Sequence, residues 1–263
     1  MTDETPFDAP VPPPPTPPDS GNGTLKARVV LPGHGLGWLV KAWAMFAAQP
    51  LLWMVAFVSV VGIFFFMGMI PLVSFAAPII VPILNGGVAL MARKQDRNEN
   101  ASYEDIFAGF NEKAGPLAGI GLVNLGAGFV IVLVAVVIIA MGGGAALVSQ
   151  GLNSDSMDFP YLMTAMMPTM LFMILVVTTL YFVVLSAVWF APALVMLNGL
   201  SVVEALTVSF KAVLSNFLPF LVYGVISMII GFLASIPMFL GWILFMPVIM
   251  ASNYVAYKDI FDQ

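Results

Sequence analysis

The nine Lys and Arg residues of this chain fall in four places: Lys26, Arg28 and Lys41; Arg93, Lys94, Arg97 and Lys113; Lys211; and Lys258. The stretches between them are long, apolar and free of basic residues. Loops that keep Lys and Arg stay on the cytoplasmic side of a membrane, so this spacing constrains the threading. It predicts an all-α integral membrane protein whose basic segments, with both termini, are cytoplasmic. The composition agrees, at 60% hydrophobic and 9% charged with a mean hydropathy of +1.01. A soluble domain carries about a quarter charged residues, so no water-soluble core is expected.

Charge excludes some partners. The sequence pI is near 4.6, but four of the fourteen acids (Asp3, Glu4, Asp8, Asp19) lie in residues 1–24, leaving ten acids against nine bases in the rest. With no positive surplus, nucleic acid is not an expected partner. Cysteine is absent, which removes disulfides, thiolate nucleophiles and Cys-ligated metals. No cleavable signal is expected, because the first 24 residues are acidic and rich in proline.

Residues 1–24 read as a disordered, Pro-rich cytoplasmic tail. The run Pro12-Pro13-Pro14-Pro15-Thr16-Pro17-Pro18 cannot form helix or sheet and favours polyproline II. A ligand for a proline-recognising module is the functional reading, and a plain solvated tail is the simpler one. Residues 25–263 read as one six-span domain, with spans at about 51–70, 72–92, 117–141, 168–190, 220–235 and 238–254. The first, at about 20 residues, extends roughly 30 Å as a helix and matches the hydrocarbon thickness. Arg93-Lys94 stops the second on the cytoplasmic side. A loop from Gly142-Gly143-Gly144 to Tyr161 is expected between the third and fourth.

The spans pair as three hairpins, each preceded by a cytoplasmic interfacial amphipathic helix. Leu36, Leu39, Val40, Trp43 and Phe46 recur at helical spacing before Pro50, with Lys41, Met45 and Gln49 opposite. Tyr103, Ile106, Phe107 and Phe110 do so before Pro116, and Val202, Leu206, Phe210, Val213 and Phe217 around Pro219. Proline ends one helix and is tolerated in the first turn of the next. Ser102 with Asp105, and Ser201 with Glu204, read as helix starts. Tyr103-Glu104-Asp105-Ile106-Phe107 and Tyr257-Lys258-Asp259-Ile260-Phe261 repeat one pattern after the first and third hairpins, which predicts the same kind of interfacial turn at both. The aromatic members, Trp43, Phe46, Phe107, Phe110, Phe210 and Phe217, are the expected interfacial residues.

No charge falls inside a span, which disfavours proton coupling or voltage sensing. Asn85 and Asn124 are the candidate pathway or packing residues. Asn85 precedes Gly86-Gly87 and follows Pro78 and Pro82, so the second span has the broken character of cavity-lining helices in transporters. Packing between helices explains the same residues more simply, as it does Gly115, Gly119, Gly121, Gly126 and Gly128. The single histidine, His34, reads as a solvated loop residue, and Asp155 and Asp158 as solvated loop acids. Methionines 163, 166, 167, 170 and 173 read as packing filler rather than a soft-metal site. No catalytic, cofactor or metal motif occurs, so no enzyme, cofactor or metal is expected.

The stretch Trp189-Phe190-Ala191-Pro192-Ala193-Leu194-Val195, with Ser201, Glu204-Ala205-Leu206, Ser209-Phe210, Asn216-Phe217 and Leu218-Pro219-Phe220, resembles an uncharacterised six-span inner-membrane family of Gram-negative bacteria. Trp38-Leu39, Pro50-Leu51-Leu52-Trp53, Phe107-Ala108-Gly109-Phe110 and Tyr257 to Phe261 extend the likeness to nearly everything after the tail. More distantly it is similar to the membrane domain of some glycerophosphodiester phosphodiesterases, whose catalytic barrel is missing from this sequence. The resemblance implies the bacterial inner membrane and no established activity. Two functions remain open: a non-enzymatic accessory protein that contacts membrane lipid, or a protein partner through its cytoplasmic helices or Pro-rich tail; and a small-molecule or lipid transporter or channel with a pathway near the second span.

Overall fold

A computed structural model describes residues 25–150 and 159–261, and among these the regular structure is all helical. The helices are α1 (His34–Ala48), α2 (Pro50–Met69), α3 (Pro71–Ser74), α4 (Ala77–Asp96), α5 (Ala108–Glu112), α6 (Ala114–Gln150), α7 (Phe159–Val188), α8 (Ala191–Asn198), α9 (Val202–Ser215), α10 (Phe217–Ser235) and α11 (Gly241–Phe261). A 3₁₀ turn at Tyr103–Phe107 precedes α5.

The short helices and the hairpins form a closed cycle. The 3₁₀ turn and α5 pack on α4, the turn also touching α2. Next, α9 packs on α6, α7 and α8, and finally α1 packs on α10 and α11. Each short segment thus sits on the long helices just before it in the chain, and α1 closes on the last two. The handovers share a local code. Helix α4 is followed by Asn98 at φ 55° and α8 by Gly199 at φ 70°, left-handed positions that stop a helix. Ser102 then caps the 3₁₀ turn in a capping box with Asp105, and the Ser201 hydroxyl accepts from the Glu204 amide.

Several expectations change in detail. The second short segment is a 3₁₀ turn plus a five-residue helix interrupted at Lys113, not one continuous amphipathic helix. Gly142, Gly143 and Gly144 lie inside α6, not in a loop, while Asp155 and Asp158 fall outside the described residues. The first hairpin turns through α3 before α4 begins at Ala77. The last turns over Ile236–Leu240, where Met238 and Phe239 have positive φ, so α11 begins at Gly241. Helix α4 runs unbroken through Pro82, Asn85 and Gly86-Gly87, and the interruption within 72–92 falls instead at Phe75–Ala76, between α3 and α4.

Among the described residues, four helical segments are apolar and long enough to cross a membrane: 50–69, 114–145, 163–198 and 217–235. They identify an integral membrane protein. The protein itself covers little of them, at most 17% of any such window, as expected of surfaces that face lipid. Helices α4 and α11 stand apart from this set and are the enclosed ones. Ile83–Leu84 and Gly86–Ala92 of α4 are buried, as is most of α11 from Ala251 to Phe261. A helix surrounded by protein does not need a uniformly apolar surface, which explains the Asn, Gly and Ser residues of these two.

Glycine permits close backbone approach at several positions, Gly121 among them. A Cβ on Gly121 of α6 would fall on the backbone of Pro78 and Ile79 in α4, whereas a Cβ on Gly126 or Gly128 meets nothing within 4 Å. Only part of the glycine series therefore sets helix approach. Gly121→Leu is expected to cost about 2 kcal/mol through overpacking that backbone atoms cannot relieve. Gly126→Leu is expected to be near neutral, and thermal unfolding of both variants in mild detergent checks the contrast.

Candidate functional site

The charged groups gather at one end of the helices, and the segment before α1 ties them together. The Arg28 amide donates to the Ile260 carbonyl at 3.0 Å. Its guanidinium donates through Nε to the Asp259 carbonyl and through Nη2 to Asp259 Oδ1 at 2.5 Å. The other carboxylate oxygen, Oδ2, takes Trp38 Nε1 at 2.8 Å and meets His34 Nδ1 at 2.7 Å. Asn216, fully buried where α9 meets α10, accepts from the Val30 amide at 2.8 Å and donates to the Arg28 carbonyl at 3.0 Å. Residues 28–34 are thus fastened to the ends of α9 and α11. His34, expected to be a solvated loop residue, is the first residue of α1 and a partner of Asp259.

Burial pushes the Asp259 carboxyl up, but the hydrogen bonds from Trp38, His34 and Arg28 and the charge on His34 outweigh it and hold the group below its ordinary range. A carboxyl whose folded pKa is depressed contributes stability above its unfolded value of about 4 and loses it as pH falls through the folded value. The carboxylate's own contribution is therefore expected to be lost only in strong acid. Asp259→Asn should lower stability at neutral pH by about 2 kcal/mol, by removing charge-assisted bonds. The destabilisation should shrink towards pH 3, as unfolding in detergent at several pH values would measure.

Further pairs extend the network. Lys258 Nζ donates to Asp96 Oδ2 at 2.5 Å, and the Tyr254 hydroxyl donates to the same oxygen at 3.1 Å. Lys94 pairs with Asp105 at 2.6 Å. Gln95 accepts from Trp53 Nε1 and donates to the Met45 carbonyl, joining α4 to the start of α2 and the end of α1. Between α1, α4 and α11 these contacts leave a cleft of about 600 Å³ that Arg28, Lys41, Gln49, Asp96, Lys258 and Asp259 help to line.

A second cavity, about 160 Å³, brings Asn85 of α4 together with Trp189 and with Asn253 and Tyr254 of α11. Asn124 is not among the residues that line it. Trp189 Nε1 is buried without a hydrogen-bond partner, and Asn85 and Asn253 give the cavity polar lining. At roughly 30 Å³ per molecule it has room for about five waters. Among the described residues no group of His, Cys, Asp and Glu could hold a metal ion.

The expected interfacial aromatics divide. Trp43 (52%), Phe107 (36%), Phe110 (40%) and Phe217 (47%) are exposed, while Phe210 is half-buried and Phe46 is buried. The residues that face the protein are Gly35, Trp38, Leu39, Ala42 and Phe46 in α1, Gly109 in α5, and Ala205, Ser209, Ala212 and Val213 in α9. The two Tyr-x-Asp-Ile-Phe copies also adopt different backbones, one a 3₁₀ turn and one a helix end. What they share is an aspartate holding a basic residue, and an isoleucine, Ile106 or Ile260, with no exposed surface. The sequence hinted at this through the repeat, but the partners Arg28, His34 and Trp38 lie more than 220 residues away along the chain.

Comparison with protein-family models, curated proteins and solved structures gives no significant match to this chain.

Proposed function

We propose that this chain is a six-span protein of the bacterial inner membrane, with the charged end and both termini cytoplasmic, acting without enzymatic chemistry as an accessory protein that contacts lipid or a partner at the cytoplasmic leaflet. The observation that carries this reading is the orientation of the three short segments. Each leaves apolar side chains exposed, Trp43 on the first, Phe107 and Phe110 on the second and Val203 and Leu214 on the third, which is what an interfacial helix needs to hold a bilayer surface. Helices α4 and α11 complete the six spans in this proposal, since at 20 and 21 residues each extends about 30 Å with its charges confined to the last turns. The inner-membrane assignment rests on the family resemblance.

The chain has no cysteine, so single cysteines can report the threading directly. Cysteines at Glu99 and Glu204 should be shielded from an impermeant thiol reagent in intact spheroplasts, and one at Met238 should be labelled. Labelling at 99 or 204 would overturn the topology. Phe107→Asp with Phe110→Asp should release the second segment from the bilayer surface, seen as increased protease cleavage near residues 99–113 in inverted vesicles.

A second reading is favoured by one observation, the cavity shared by Asn85, Asn253 and the unpartnered Trp189 Nε1. On it, the chain passes a small polar solute between α4 and α11. Asn85→Leu should then abolish solute flux in proteoliposomes, and unchanged flux removes the reading.

A further inference from the structure

We propose that the cleft between α1, α4 and α11 binds the phosphodiester of an anionic phospholipid, with the acyl chains lying along the exposed face of α2. The cleft holds three cations, Arg28, Lys41 and Lys258, against two carboxylates, Asp96 and Asp259. One positive charge is left over, which matches the single negative charge of a phosphodiester lipid with a neutral headgroup.

The surplus sits on Lys41, for which no ion pair exists among the described residues. Arg28 and Lys258 are already held by Asp259 and Asp96, yet their side chains remain 48% and 46% exposed. Two cationic groups are thus fixed in place while keeping donors for a ligand: Arg28 through Nη1, and Lys258 through its remaining ammonium protons. The start of α2 adds a favourable field. Gln49 lines the cleft and immediately precedes α2, whose N-terminus has no side-chain cap, so the positive end of that helix adjoins the cleft.

The cleft also carries apolar surface from Ala44, Met45 and Val255, a lining suited to an amphiphile. Its volume of about 600 Å³ lies within the range of about 300–1,000 Å³ usual for ligand sites. Two residues beyond Gln49, Leu51 is 74% exposed, and Val58 on the same helix is 60% exposed. Polar cleft and lipid-facing helix therefore adjoin, which selects a lipid over a free anion.

This inference rests on the membrane-surface reading above, and the two can fail separately. The full chain in mild detergent, studied by native mass spectrometry, should retain phosphatidylglycerol about tenfold more strongly than phosphatidylcholine of the same acyl chains. Lys41→Glu should abolish that preference, since it reverses the one cleft cation that no ion pair holds among the described residues. Lys41→Arg should keep it, and Lys41→Gln tests the same point should the glutamate variant fail to fold. Equal retention of the two lipids, or an unchanged preference in Lys41→Glu or Lys41→Gln, overturns the proposal. So does displacement of phosphatidylglycerol by millimolar inorganic phosphate, which would assign the site to free anion. Phe107→Asp with Phe110→Asp lies outside the cleft and should leave the preference intact. A lost preference in Lys41→Glu beside an undisturbed Phe107/Phe110 variant in vesicles would sink the surface-helix reading alone.

Discussion

The Asp259 carboxylate is the point on which the arrangement closes. It is almost wholly buried, and a buried carboxylate must be paired or neutralised. Here Arg28, His34 and Trp38 fill its acceptor positions, and the three belong to the opening part of the described chain. Remove that carboxylate and α1 keeps the Gln95 bond to the Met45 carbonyl and its apolar contacts, with Trp38 packed on Phe220 and Tyr223 at ring separations of 5.1 and 6.0 Å. The bonds of residues 28–30 to Asn216 and Ile260 would remain, but the Arg28 guanidinium in the cleft would lose its carboxylate partner.

Much of this was legible in the residues, because the causes are local. Helix starts at Ser102 and Ser201 followed from side chains that cap backbone amides, and both caps are present. Pro50 and Pro116 sit in the first turns of helices for the same kind of reason. The face of α1 was harder to read. Periodicity grouped Leu36, Leu39, Val40, Trp43 and Phe46, but the protein takes Trp38, Leu39, Ala42 and Phe46 and leaves Leu36, Val40 and Trp43 outside. In a membrane protein two apolar environments compete for one helix, and hydropathy cannot tell protein from lipid. The candidate site was out of reach for a different reason. Asp259 and Arg28 meet only because a threefold cycle returns to its start, and no window of sequence contains both.

The same distinction between protein and lipid explains the composition of the helices. Those facing outward, such as α2 and α10, are dense in Phe, Leu, Ile and Val, whereas α4 and α11 carry Asn85, Gly86, Gly87, Ser252 and Asn253. Close backbone approach is what small residues supply, and Gly87 against the Ile106 carbonyl and Gly109 against the Ile83 carbonyl are two cases, both between α4 and the segment after it. Where such a position opens onto a cavity, as at Asn85, the same residue type lines polar space instead.

The second hairpin is out of scale with the other two. Helix α6 has 37 residues and α7 has 30, so they extend about 55 and 45 Å, against a hydrocarbon layer of about 30 Å. Membrane helices lean by at most about 40° in ordinary cases, which is too little to hide such lengths. Embedded in a bilayer, this pair must stretch the surrounding acyl chains or push its far end through the headgroups into water. Either outcome makes the protein sensitive to bilayer thickness at one place on its circumference, and an assembly with that asymmetry has a preferred side on which to meet thicker membrane.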